Sequence, residues 1–212
     1  FANNLEDSSL VSLNKQIHSS LFFNRTGYKY GGELKFQNTS GKLLLSNGFN
    51  TRDRTSIGVN LRYQFKKILV KWENEQGQKS LESDFLTSRN FRLDYFKTSP
   101  TITFQKDNNF TWDFIYSYQE KRSQTEGEFA SISTLGTAVK YTIINNLNLG
   151  AEFNFVAIGF VGSANSSLEY EMLEGLKKGD NFTWEVVLNK RIAKNLDLSL
   201  NYTGRKPENI KT

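Results

Sequence analysis

The chain has 212 residues, 37% hydrophobic and 14% aromatic, with 17 Phe and 9 Tyr against a single His and a single Met. The absence of Cys excludes a disulfide scaffold and thiolate metal sites. Its 27 basic and 22 acidic residues give a net charge of +5 spread along the chain, which argues against the concentrated basic face that nucleic acid requires.

Residues 1–13 lack a clear period and read as a lead-in or linker, with 14–212 as one continuous segment. The chain starts at Phe1 without Met or a charged and apolar leader, and reads as a piece of a longer protein. From Lys15 onward, strand and turn signals alternate. Predicted strands run about Lys15–Asn24, Tyr28–Gln37, Lys42–Asn50, Thr55–Phe65, Ile68–Glu75, Arg89–Tyr95, Thr101–Gln105, Phe110–Lys121, Phe129–Thr142, Leu147–Val156, Ser167–Leu173, Phe182–Arg191 and Leu196–Tyr202. Arg89 to Gln105 also reads as one long strand bent at Pro100. The count is about ten to thirteen strands, with no helix.

Asn38-Thr39-Ser40-Gly41, Lys66-Lys67, Lys106 to Asn109, Asn145-Asn146, Lys177 to Asp180 and Ala193 to Asn195 read as tight turns, rich in residues that tolerate left-handed backbone. Gln76 to Ser88, Ser123 to Glu128 and Gly159 to Ser166 read as longer polar loops. Short turns at one end and long loops at the other are the habit of membrane barrels.

The strand faces carry the argument. Phe110, Trp112, Phe114, Tyr116 and Tyr118 share one face, with Thr111, Asp113 and Ser117 on the other. Ile57 to Phe65, Phe182 to Leu188 and Leu196 to Tyr202 alternate in the same way. No stretch approaches the roughly 18 apolar residues of a membrane helix, and strands in lipid have to close because an unpaired edge cannot be hydrated there. The expected fold is all-β: an antiparallel up-and-down transmembrane β-barrel, complete in itself or part of a larger one.

That reading assigns Trp72, Phe110, Trp112, Phe114, Tyr116 and Trp184 to the lipid-facing side as aromatic residues of the membrane boundary. It assigns Arg62, Lys71, Glu73, Arg92, Asp94, Asp113, Lys140, Glu152, Glu185 and Asp197 to a polar lumen, where opposite charges on neighbouring strands neutralise one another. His18 shares a face with Ser20, the spacing of a lipolytic base and nucleophile, but no orienting third group or oxyanion donor is recognisable nearby. No P-loop, dinucleotide fingerprint or zinc spacing occurs, and neither a metal nor a cofactor is expected.

The stretch Ser167-Leu-Glu-Tyr-Glu-Met-Leu-Glu-Gly-Leu-Lys-Lys-Gly-Asp-Asn-Phe-Thr-Trp, followed by Leu196-Asp-Leu-Ser-Leu-Asn-Tyr-Thr-Gly-Arg-Lys-Pro, resembles the C-terminal β-barrel region of large outer-membrane proteins from Bacteroidota. The likeness covers about the last 45 residues. In that family the Gly-Arg-Lys segment leads to one more strand ending in an aromatic residue, which is absent before Thr212. The resemblance implies location in the bacterial outer membrane, contact with outer-membrane lipid and association with other envelope proteins in secretion, transport or outer-membrane assembly. The functional expectation is a non-enzymatic scaffold, anchor or conduit that binds no nucleic acid. The alternatives are an outer-membrane lipid hydrolase using His18 and Ser20, or a soluble β-sandwich surface-binding module whose aromatic faces form its core.

Overall fold

The computed structural model describes residues 11–45, 48–124, 127–143, 146–163 and 167–207. Ten strands account for most of them: β1 (Ser12–Phe23), β2 (Tyr30–Leu45), β3 (Gly48–Phe65), β4 (Ile68–Ser83), β5 (Phe91–Gln105), β6 (Phe110–Ser123), β7 (Phe129–Ile143), β8 (Leu147–Val161), β9 (Gly179–Ala193) and β10 (Leu196–Pro207). Each pairs antiparallel with the next, giving one sheet in chain order β1 to β10. One short helix, α1 (Ser167–Leu173), and a single 3-10 turn at Thr87–Arg89 complete the fold. A sandwich needs two packed sheets, and only this one sheet is found among the described residues.

Several strands run past their expected ends. Asn38 to Gly41 is the middle of β2, not a turn. There it pairs with Asn14 to Ile17 on one side and Arg52 to Thr55 on the other, so two hydrogen-bond ladders override the local turn preference of these residues. The reversal falls instead between Leu45 and Gly48. Gln76 to Ser83, expected as loop, continues β4, and β8 extends to Val161. Arg89–Tyr95 and Thr101–Gln105 belong to the single strand β5. Pro100 lacks a backbone N–H, and the ladder to β6 is interrupted there, resuming at Thr101 opposite Ile115. Ser99 and Ser117 hydroxyls, 2.8 Å apart, join the two strands at that gap.

Ser167–Leu173 is helical rather than extended. Leu168, Met172 and Leu173 recur at the spacing of one helical face and are all buried. The helix stops before Gly175, whose φ of +74° is left-handed, with its N–H donating to the Tyr170 carbonyl at 3.2 Å. β1 begins at Ser12, inside the expected lead-in, while residues 1–10 lie outside the described set.

The sheet curls. His18 on β1 and Ser99 on β5 line the same cavity of about 120 Å³, yet four strand spacings on a flat sheet would hold them about 19 Å apart. The concave, inner face also carries α1, which packs against Leu93 on β5, Ala130 and Ile132 on β7, and Val156, Ile158 and Phe160 on β8. β1 and β10 are the two edges of the sheet and each pairs with one neighbour.

Candidate functional site

Because side chains alternate across a strand, the pairing register assigns every strand residue to one face. The inner face carries Arg62, Lys71, Glu73, Asp113, Lys140, Glu152, Glu185 and Asp197, together with His18, Ser20, Glu33 and Lys35. The outer face carries Trp72, Phe110, Trp112, Phe114, Tyr116 and Trp184. Arg92 and Asp94 are corrections to the expected lumen set: they pair with Ser80 and Gln78 on the outer face, while Leu93 and Tyr95 point inward and are buried.

The reason lies in a reversal of polarity along the strands. At the end with the β3–β4 turn, outer residues are apolar and exposed: Ile57 to Phe65 at alternate positions, Ile102, Phe104, Trp112, Phe114, Tyr116, Leu200 and Tyr202. At the opposite end the outer residues become polar, including Asp53, Asp94, Arg122, Ser131 and Asp180, and the inner ones become apolar. The apolar face therefore changes sides within single strands. On β7, Leu135 and Val139 point outward whereas Ala130 and Ile132 point inward.

The outer apolar residues form a belt oblique to the strands. A line through directly paired residues from Tyr30 passes Tyr63, Val70, Ile102, Phe114, Thr137, Phe153 and Trp184 to reach Gly204. On β10, however, the belt starts at Leu196, eight residues nearer the turn after eight strand steps. One residue of about 3.3 Å for each strand spacing of about 4.8 Å is an inclination of about 35°. On β6 the belt runs from Phe110 to Tyr118, so its height measured across that inclination is about 22 Å.

Within the belt, polar ring atoms are satisfied locally. The Trp72 indole N–H donates to the Thr98 hydroxyl and that of Trp112 to the Thr137 hydroxyl, both at 2.8 Å and both on the outer face. A buried or lipid-facing donor without such a partner would cost on the order of 1–3 kcal/mol. Trp184 lies over Gly204 of β10, where an added Cβ would come within 2.3 Å of the ring.

The inner polar residues make fewer charge pairs than expected. Arg62 donates to the carbonyls of Asn24 and Arg25 at 2.5 Å, Asp113 accepts from Thr103, and Asp197 meets Arg191 at 3.3 Å. Glu152 stands directly opposite Glu185. His18 Nε2 and Ser20 Oγ are 3.3 Å apart, within hydrogen-bond reach.

Two inner clusters escaped the sequence reading. Glu75 accepts from Arg54 at 2.7 Å and from the Tyr95 hydroxyl at 2.5 Å, and Arg54 also donates to that hydroxyl at 3.2 Å. Lys121, 2% exposed, donates to the Glu171 carbonyl at 3.1 Å and to Glu174 at 2.9 Å, while Lys79 reaches Glu171 at 3.3 Å. Arg205 of β10 donates to the Gly175 carbonyl. Burial opposes ionisation of Glu174, but the hydrogen bond and charge of Lys121 outweigh it and hold the carboxyl below its usual range. Side chains from β4, β6 and β10 thus tie α1 into the concave interior. The available sequence signal was the Leu168, Met172, Leu173 spacing followed by Gly175.

Fold and site together define an all-β protein of ten antiparallel up-and-down strands, with an exposed apolar belt outside and a helix-capped interior. No protein-family model matches the chain, and no curated protein matches it.

Proposed function

We propose that this chain is a transmembrane β-barrel of the bacterial outer membrane, acting as a non-enzymatic scaffold, anchor or conduit within an envelope complex. The observation that carries the reading is the belt. Soluble monomers rarely expose an apolar patch beyond a few hundred Å², whereas barrel proteins carry an apolar band about 25 Å tall on strands tilted about 35–45°. The height and inclination of the belt, each obtained from register alone, agree with both. The resemblance of the last strands to Bacteroidota barrels supports the same location and the same kind of envelope partners.

In this reading the ten strands close on themselves. An even number lets β10 meet β1 antiparallel, and the belts on the two edges match in length, Ile17–Phe23 against Leu196–Tyr202. Aligning them sets Leu200 beside Ser19 and Tyr202 beside Ile17, outer residue against outer residue. Ten strands at about 35° close with a radius of about 9 Å, so that inner side chains such as His18 and Ser99, which would run parallel on a flat sheet, converge on one interior. Sixteen strands would set β4 and β10 about 28 Å apart, too open for one short helix to hold both easily.

The chain's lack of Cys makes the seam directly testable. A Ser19→Cys, Leu200→Cys pair oxidised in membranes is expected to cross-link, and a Ser19→Cys, Thr203→Cys pair, with side chains on opposite faces, is not. Absence of cross-linking at every register of β1 against β10 would mean that strands from elsewhere close the barrel.

The contact between His18 and Ser20 favours lipid hydrolysis as a second reading. Both side chains face the interior, away from acyl chains, and a hydrolase also needs an orienting group and oxyanion donors. Purified protein is expected to release no fatty acid from phospholipid, with or without calcium, and Ser20→Ala is expected to change nothing. Turnover by the parent that disappears in Ser20→Ala would reverse the assignment in favour of the enzyme.

A further inference from the structure

The belt has a notch at β4. Register aligns Ile57, Gln76, Phe96 and Glu120 in one row across β3 to β6 on the outer face, with Asp94 and Arg122 paired in the next row outward. A furrow lies here, lined by these residues, with an amide floor between two apolar walls. Ile57 and Phe96 are both exposed. On β4 the apolar run ends at Trp72, so Asn74 and Gln76 carry amides to a depth where β3 and β5 still present hydrocarbon.

The charges above the furrow are arranged in a definite way. Arg122 lies 3.6 Å from Glu120 with a largely exposed side chain, Glu120 also accepts from the Tyr118 hydroxyl at 2.6 Å, and Asp94 accepts from Gln124 at 2.7 Å. One guanidinium beside two carboxylates complements a headgroup bearing both a phosphate and a cation. It does not complement a headgroup that is only anionic.

We infer that this furrow is a binding site for a phospholipid with a primary-amine headgroup. Its acyl chain lies between Ile57 and Phe96, its ester carbonyls accept from the Gln76 amide, its phosphate meets Arg122 and its ammonium meets Glu120 and Asp94. The inference rests on the membrane reading above, since only a barrel at that depth brings this row to the headgroup layer. A charge-assisted contact is directional and relatively strong at a partly dehydrated boundary, so headgroup chemistry and not chain length decides occupancy.

The test is native mass spectrometry of the detergent-solubilised full chain, exchanged against equimolar phosphatidylethanolamine and phosphatidylglycerol with identical acyl chains. One phosphatidylethanolamine is expected to be retained about fivefold better, the upper end of the scale for a single surface charge pair. The double variant Asp94→Asn, Glu120→Gln is expected to abolish that preference, and Arg122→Gln to weaken retention of both lipids. Equal retention by the parent, or an undiminished preference in the double variant, overturns the site while leaving the barrel intact. Folding monitored in parallel separates the two ideas: a chain that remains folded in buffer without detergent overturns the membrane reading and the site with it.

Discussion

Phe114→Arg is expected to lower folding stability in a bilayer by about 2–4 kcal/mol, the range measured for basic residues at the midplane of barrel strands. Phe114 is the middle residue of the β6 belt, 46% exposed on the outer face, with its ring centroid 4.5 Å from that of Trp112. If that face met water, replacing so exposed a ring by Arg would change little. The size of the effect therefore reports the solvent, not the packing. Depth supplies the control: Tyr118→Arg at the belt edge is expected to cost only about 0–1 kcal/mol. The check is reversible urea unfolding into phospholipid vesicles, read by Trp fluorescence. Equal costs at the two positions would sink the assignment of the belt to lipid.

Met172→Asp is expected to expel α1 from the interior while leaving the ten-stranded ladder formed. Met172 is fully buried, among Leu93, Ile132, Ile158 and Phe160. A carboxylate there has no partner, and leaving a polar group buried and unpaired costs on the order of 2–7 kcal/mol. That cost is comparable to what Lys79, Lys121 and Arg205 contribute in holding this seven-residue helix, about 0.5–1.5 kcal/mol for each hydrogen bond, and the lost burial of the Met172 side chain adds to it. The strands keep their own hydrogen bonds on both sides, so the cheapest response is for the β8–β9 connection to leave. The expected signs are new protease cleavage in that connection, unchanged far-ultraviolet dichroism, and larger single-channel conductance in planar bilayers. Met172→Leu, which conserves volume, is expected to match the parent. Loss of the whole fold in Met172→Asp would instead make α1 part of the core, and unchanged conductance despite cleavage would argue for an anchor over a conduit.

The strand content was legible because period two is a local property: Phe110 to Tyr118 declares its two faces without reference to any other strand. So was the outward set of Trp72, Trp112, Phe114, Tyr116 and Trp184, since large rings beside charged neighbours leave one parity to choose. Arg92 and Asp94 were not legible. Their neighbours Phe91, Leu93 and Tyr95 have the same alternation as a lipid-facing strand, and nothing within the segment says that the apolar side there is covered by α1. The helix itself was hidden because seven residues are too few for the Leu168, Met172, Leu173 spacing to outweigh a strand reading, even with Gly175 marking a helical stop.

What the amino-acid sequence alone determined is the class of structure: strands that pair in chain order, one face apolar, joined mostly by short connections. Tertiary structure decided which apolar faces remain exposed and which the protein itself covers. At the belt, ring-bearing positions face out and remain exposed. Beyond it, the same two-residue period faces inward and is buried under Leu168, Met172 and Leu173. A strand specifies only that its two sides differ. Whether the apolar side is left exposed or covered by protein depends on residues outside the strand, on the curl of the sheet and on the helix that fills it.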